Sequence, residues 1–117
     1  DKVRAARPGY SGPWPRVSIW QGVDDGVVAP INATWTMEQW TNVHGLTQTP
    51  QTSNTVSGQP HRVYGANQVE AYDVIGTAHQ FPIKPGSGAE DCGSGYPDQN
   101  NGICASLYIA RWFGLDK

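Results

Sequence analysis

RVSIWQGVDDGVVAP, residues 16–30, is a strand followed by a loop that carries two adjacent carboxylates. Val17, Ile19 and Trp20 supply the β-branched and aromatic content of a strand over residues 16–21, and Gly22 stops it. The loop over 22–30 then presents Asp24 and Asp25. A second stretch, VIGTAHQF at residues 74–81, repeats the design with a different side chain. It ends a strand expected over 69–75, is broken at Gly76, and carries His79 in the turn. Acid and base thus follow two separate strands, where the functional residues of parallel sheets gather.

The remaining chain supplies the connections. Residues 1–7 read as the end of a helix, with Val3 and Ala6 on one side and Pro8-Gly9 closing it. Residues 9–15 are a Gly/Pro-punctuated loop. Apolar residues recur at Ala33, Met37, Trp40 and Val43, so a helix is expected from residue 33, with Asn32 as its N-cap and Gly45 as its stop. Residues 47–61 are Thr/Ser/Pro-rich and read as a polar excursion. A short strand at 61–64 and a turn at 65–67 precede the 69–75 strand. Residues 82–102 read as a long irregular loop, and Ile103, Leu107, Ala110 and Phe113 as one face of a last helix ending at Gly114. This alternation implies an α/β fold with a mostly parallel sheet. So few strands form only part of one, so residues 1–117 are expected to be a portion of a larger domain.

Composition narrows the function classes. The 117 residues carry a net charge of −2, with 15% charged and 38% hydrophobic side chains. No basic patch suggests nucleic acid, and no apolar run approaches the roughly 18 residues of a membrane span. No signal-peptide pattern is present in the opening DKVRAAR. Cys92 and Cys104 flank a Gly/Asp/Asn-rich segment and read as one local disulfide; two unrelated buried thiols are the alternative. No histidine stands at zinc-ligand spacing from them, so neither metal nor cofactor is expected. The sequon Asn32, Ala33, Thr34 is compatible with secretion.

An aspartate loop followed by a histidine loop matches the acid and base order of Ser…Asp…His hydrolases. The stretches WPRVSIWQGVDDGVVAPINA, WTNVHGL, IGTAHQFP and ICASLYIARWFGL together resemble the C-terminal part of the polyhydroxybutyrate-depolymerase family of esterases, to which acetylxylan and feruloyl esterases belong. The resemblance runs over nearly the whole chain. It implies the C-terminal portion of a three-layer α/β-hydrolase sandwich, and a secreted serine esterase. The family pattern Gly-x-x-Asp-x-x-Val, then Pro, falls on Gly22, Asp25, Val28 and Pro30. It assigns the triad acid to Asp25, with Asp24 and Asp73 as competitors. The Gly-x-x-His turn falls on Gly76 and His79; it reads Gly-Thr-Ala-His here, where family members usually carry a methionine and a second glycine.

No serine completes the set. Ser11, Ser87 and Ser94 all lack the Gly-x-Ser-x-Gly setting and the strand-to-helix context of a nucleophile elbow. The nucleophile-bearing half is therefore expected in a preceding segment or a second chain. Candidate substrates are polyhydroxyalkanoate-type polyesters, or acetyl and feruloyl esters of plant polysaccharide. The competing function is a non-catalytic module that binds carbohydrate or polyester through its aromatic residues. His44 reads as a helix-end residue and His61 as a surface loop residue. Trp20, Trp35, Trp40 and Trp112 read as core. Trp14 reads as packing, with a substrate cleft as its alternative.

Overall fold

The computed structural model describes residues 2–94 and 99–117. Asp1 and the 95–98 part of the expected 82–102 loop lie outside the described residues. The elements are α1 (Lys2–Ala6), β1 (Val17–Gly22), α2 (Ile31–Val43), β2 (Thr52–Val56), β3 (Gln59–Tyr64), β4 (Val69–Val74) and α3 (Ala105–Trp112). The four strands form one sheet in the order β1-β4-β3-β2.

β1 and β4 pair in parallel, from Val17 opposite Val69 to Gly22 opposite Val74. β3 is antiparallel to both β4 and β2. The sheet described is therefore mixed, not mostly parallel as the element rhythm implied. The difference lies in residues 52–64. The expected excursion is a hairpin whose two-residue turn, Ser57-Gly58, has φ of +47° and +78°. Positive φ at both central positions matches the right-handed twist of the flanking strands. β2 (TSNTV) is exposed through its first four residues. An edge strand of that kind carries no apolar alternation, and the search for alternation passes over it.

Side-chain alternation distributes the core between the two faces. Ile19, Val69, Ala71 and Tyr64 meet Ala33, Met37 and Trp40 of α2 on one face. Tyr72 and Val74 meet Ile103 and Tyr108, at the entry to and within α3, on the other. Phe113, expected on the apolar face of the last helix, is exposed at the C-cap of α3. α2 begins two residues earlier than its apolar spacing indicated. Pro30 is the N-cap and makes no side-chain cap bond, while Asn32 sits inside the first turn and donates its amide to the Ala29 carbonyl. Gly45, at φ +70°, ends the helix as expected. Gly45 N–H donates to Asn42 O and Leu46 N–H to Thr41 O, a Schellman closure.

His61 is not a surface loop residue. It is buried in β3, with Nε2 2.8 Å from Glu70 Oε2 and Nδ1 2.8 Å from Asn54 Oδ1. Ser18 donates to the other Glu70 oxygen at 2.7 Å, and the His61 ring stacks on Tyr72. Trp35 departs from its core reading and is 58% exposed. Trp14 packs edge-on against Tyr10. It precedes the start of β1, so it lies at the end of the sheet away from His79.

Cys92 and Cys104 form a disulfide 12 residues apart in sequence. The Lys84 and Cys92 backbones pair as an isolated bridge, and Ala105 N–H donates to Pro82 O. The segment after His79 is thereby tied to the start of α3. Closing so short a loop restricts mainly the unfolded chain, a contribution of about 3 kcal/mol. Replacing both cysteines by alanine should lower the unfolding free energy by about that amount in denaturant titrations; an unchanged midpoint would show that the loop is held by its hydrogen bonds alone.

Candidate active site

Six consecutive parallel partners bring the ends of β1 and β4 out side by side. The loops that follow are joined through backbone: Val23 N–H donates to Val74 O at 3.1 Å and Asp24 N–H to Thr77 O at 3.0 Å. Gly22 makes this approach possible. A Cβ there would overlap the carbonyl oxygens of Thr77 and Ala78. Gly76, at φ +67°, reverses the chain after β4.

Within this frame Asp25 and His79 meet. His79 Nδ1 lies 3.0 Å from Asp25 Oδ2. The second carboxylate oxygen, Oδ1, accepts from the Val27 and Val28 amides, each at 2.8 Å. With both oxygens engaged, the carboxylate has one orientation toward the ring. Burial raises the Asp25 pKa, but the Val28 amide, His79 and the Val27 amide together outweigh it, and the group titrates below its ordinary 3.8. The side chain of Asp25 is 7% exposed and that of His79 56%. An ionised, sheltered carboxylate holding Nδ1–H leaves imidazole Nε2 as the basic nitrogen.

The competing acids are engaged elsewhere or turned outward. Asp73 faces the α2 side of the sheet and takes a two-pronged bond from Arg62, at 2.7 and 3.1 Å. Asp24 is exposed and links the two loops through its backbone. A concavity of about 340 Å³ borders the pair, lined by Gly22, Asp25, Val28, His79 and Phe81. Phe81 is 61% exposed and gives this rim an apolar character. A larger concavity of about 480 Å³ lies on the α2 side, beside Met37 and the Arg62–Asp73 pair, and contains neither Asp25 nor His79. Among the described residues no group of histidine, cysteine and carboxylate side chains could hold a metal ion.

Several known proteins are similar to this chain. Poly(3-hydroxyalkanoate) depolymerase C of Paucimonas lemoignei is 45% identical over 120 residues, covering 98% of this chain and 29% of its own length. The chain belongs to the polyhydroxybutyrate-depolymerase family of esterases. An acetylxylan esterase of Coprinopsis cinerea is 42% identical over 85 residues, covering 70% of this chain and 23% of its own. The depolymerase-family chain thus spans less than a third of the length of these two relatives. Its fold is matched by an acetyl xylan esterase from Aspergillus awamori, with a TM-score of 0.72 at 22% identity over 97% of this chain and 35% of the other. No protein-family model matches the chain.

Sequence reasoning missed the polar side chains behind the histidine turn of this depolymerase-family chain. Thr77 is fully buried, and its hydroxyl accepts from Asn101 Nδ2 at 2.9 Å. Gln59, at the start of β3, accepts the Ile75 N–H at 2.7 Å. Asn101 and Gln59 sit in segments read as irregular, and a lone amide side chain has no sequence signature.

Two outcomes follow from this geometry. The depressed Asp25 pKa contributes stability that is full above the unfolded-state value and lost as pH falls through the lower folded one. The difference in thermal midpoint between the native chain and Asp25→Asn should shrink as pH falls through and below the ordinary aspartate range; a constant difference would refute the linkage. Gly22→Ala should cost about 1–3 kcal/mol, because backbone oxygens must give way. Gly26→Ala, whose Cβ would meet nothing within 4 Å, is its control. Equal midpoints for the two variants would rule out the close approach at Gly22.

Proposed function

We propose that this chain supplies the acid and base of a serine carboxylic-ester hydrolase, and that residues 1–117 are the C-terminal part of its single α/β-hydrolase domain. The observation that carries the reading is the 3.0 Å contact between His79 Nδ1 and the doubly anchored Asp25. The nucleophile is assigned to polypeptide outside these residues, either a preceding segment or an associated chain. The absence of a Gly-x-Ser-x-Gly stretch in the 117 residues and their 29% share of the depolymerase relative support this assignment.

The chemistry is acyl transfer through a covalent intermediate. The serine Oγ attacks the ester carbonyl carbon while His79 Nε2 removes the hydroxyl proton. The tetrahedral intermediate collapses, its C–O bond breaks, and His79 returns the proton to the departing alcohol. Water then repeats the sequence on the acyl-enzyme and releases the carboxylic acid. Asp25 remains ionised throughout, holds the Nδ1 tautomer and stabilises the imidazolium. Its lowered pKa suits that role.

The substrate is an ester, with a polyhydroxyalkanoate-type polyester or an acetylated or feruloylated plant polysaccharide as candidates. The names of the depolymerase and esterase relatives support that class. Secretion is part of the proposal, supported by the disulfide. For the reading as an aromatic binding module, Trp35 is exposed, but the stacked Trp20–Tyr72 pair packs with the core, Tyr72 being 3% exposed.

A fluorophosphonate probe should label a serine in the co-purifying or contiguous polypeptide, in a Gly-x-Ser-x-Gly setting. In that complete enzyme His79→Ala should lower kcat by about 10⁶-fold. Asp25→Asn should lower it by about 10⁴-fold. Retention of activity in His79→Ala would remove the residue from the mechanism.

A further inference from the structure

We propose that Asn101 is a positioning residue for the catalytic base, clamping the His79 turn from both sides with Gln59 and Thr77 as its partners. The inference rests on the esterase reading above and goes beyond it, because none of these three side chains belongs to the acid, base or nucleophile.

The clamp begins with an amide whose hydrogen-bonding capacity is fully used. Asn101 is buried at 9% exposure. Its Oδ1 accepts from the Ile83 backbone N–H at 3.0 Å and from Gln99 Nε2 at 2.9 Å. Its Nδ2 donates to Thr77 Oγ1 at 2.9 Å and to Gln80 Oε1 at 3.3 Å. Two donors and two acceptor sites therefore meet four partners. The assignment of oxygen and nitrogen is forced, because a backbone N–H at Ile83 can only donate. Thr77 lies two residues before His79 and Gln80 one after, so a single amide group holds both flanks of the turn.

The backbone of Asn101 is held as firmly. Its N–H donates to Ile83 O at 2.8 Å, and its carbonyl accepts from Gln59 Nε2 at 3.3 Å. Gln59 Oε1 takes the Ile75 N–H at the exit of β4. That assignment is also forced, since Ile75 N–H only donates and Asn101 C=O only accepts. Three residues beyond Asn101, Cys104 carries the disulfide. The path from the staple to the base is thus Cys104, Asn101, Thr77 and Gln80, then His79. Thr77 O also receives Asp24 N–H, so a shift of Thr77 moves the acid loop and the base turn together.

Such a network keeps the imidazole in line with its proton acceptor and donor without touching substrate. A displacement near 1 Å at a reacting group can cost about 10²-fold in rate. In the complete enzyme Asn101→Ala should lower kcat for p-nitrophenyl acetate by about 10²-fold with KM within about twofold. Thr77→Val removes the acceptor at nearly constant volume and should lower kcat by about tenfold, the equivalent of one hydrogen bond. Thr77→Ser retains the hydroxyl and should recover most of that loss.

The low-field Nδ1–H proton resonance of His79, which reports its bond to Asp25, should broaden or vanish in Asn101→Ala and Thr77→Val and persist in Thr77→Ser. If ester hydrolysis depends on His79 while Asn101→Ala and Thr77→Val retain wild-type kcat and an intact resonance, the positioning role is overturned. Lower thermal midpoints with unchanged kcat and resonance would likewise reduce Asn101 to a structural residue. If instead no ester is hydrolysed, yet the resonance responds as expected, the clamp stands and the esterase reading falls.

Discussion

The parallel ladder between β1 and β4 is the constraint on which the site depends. Its register is continuous from the Val17–Val69 pair to the Gly22–Val74 pair, so both strands terminate at the same level. Parallel neighbours must point the same way, and their following loops must therefore emerge at one edge of the sheet. Asp25 and His79 are 54 residues apart in sequence, yet neither has to be carried far by a long loop. α2 and the hairpin absorb the intervening chain. A one-residue slip of that register would send Ile19 and Ala71 to different faces and separate the acid from the base.

The parts of this arrangement that were legible in the sequence are those with a local signature. Gly22 and Gly76 mark where strands stop, β-branched residues mark the strands, and the spacing of Met37, Trp40 and Val43 marks α2. The reading of the two cysteines as one local disulfide agrees with the Cys92–Cys104 bond. Residues whose placement depends on distant partners were not legible. β2 is polar and exposed among the described residues, and His61 reads as a loop residue because its partners Glu70 and Asn54 are supplied by neighbouring strands. Asn101 and Gln59 act through geometry that only the folded chain creates. The choice of Asp25 over Asp24 and Asp73 came from a family pattern, whereas the contact with His79 follows from the Val27 and Val28 amides that turn its carboxylate.

The α3 side of the sheet carries a second polar node with a different character. Glu70 is 3% exposed, accepts from Ser18 and faces His61, and Trp20 Nε1 donates to the same Ser18 hydroxyl at 2.9 Å. Both carboxylate oxygens are engaged, as at Asp25, but here the histidine is enclosed under a stacked tyrosine. The contrast separates two uses of one residue pair. The His61–Glu70 pair is enclosed on both sides, while the His79–Asp25 pair leaves its imidazole half exposed.

The order of the strands leaves the sheet with two unlike margins. On one side β2 offers Thr52, Ser53, Asn54 and Thr55, all exposed, with little to reward another extended chain for joining. On the other, β1 offers the backbone of VSIWQG between Ile19 on one face and Trp20 on the other. Among the described strands, β1 is the edge along which an added extended chain would gain both hydrogen bonds and apolar cover. The two margins therefore differ in chemistry as well as in position, and the apolar one ends in the loop that carries Asp25.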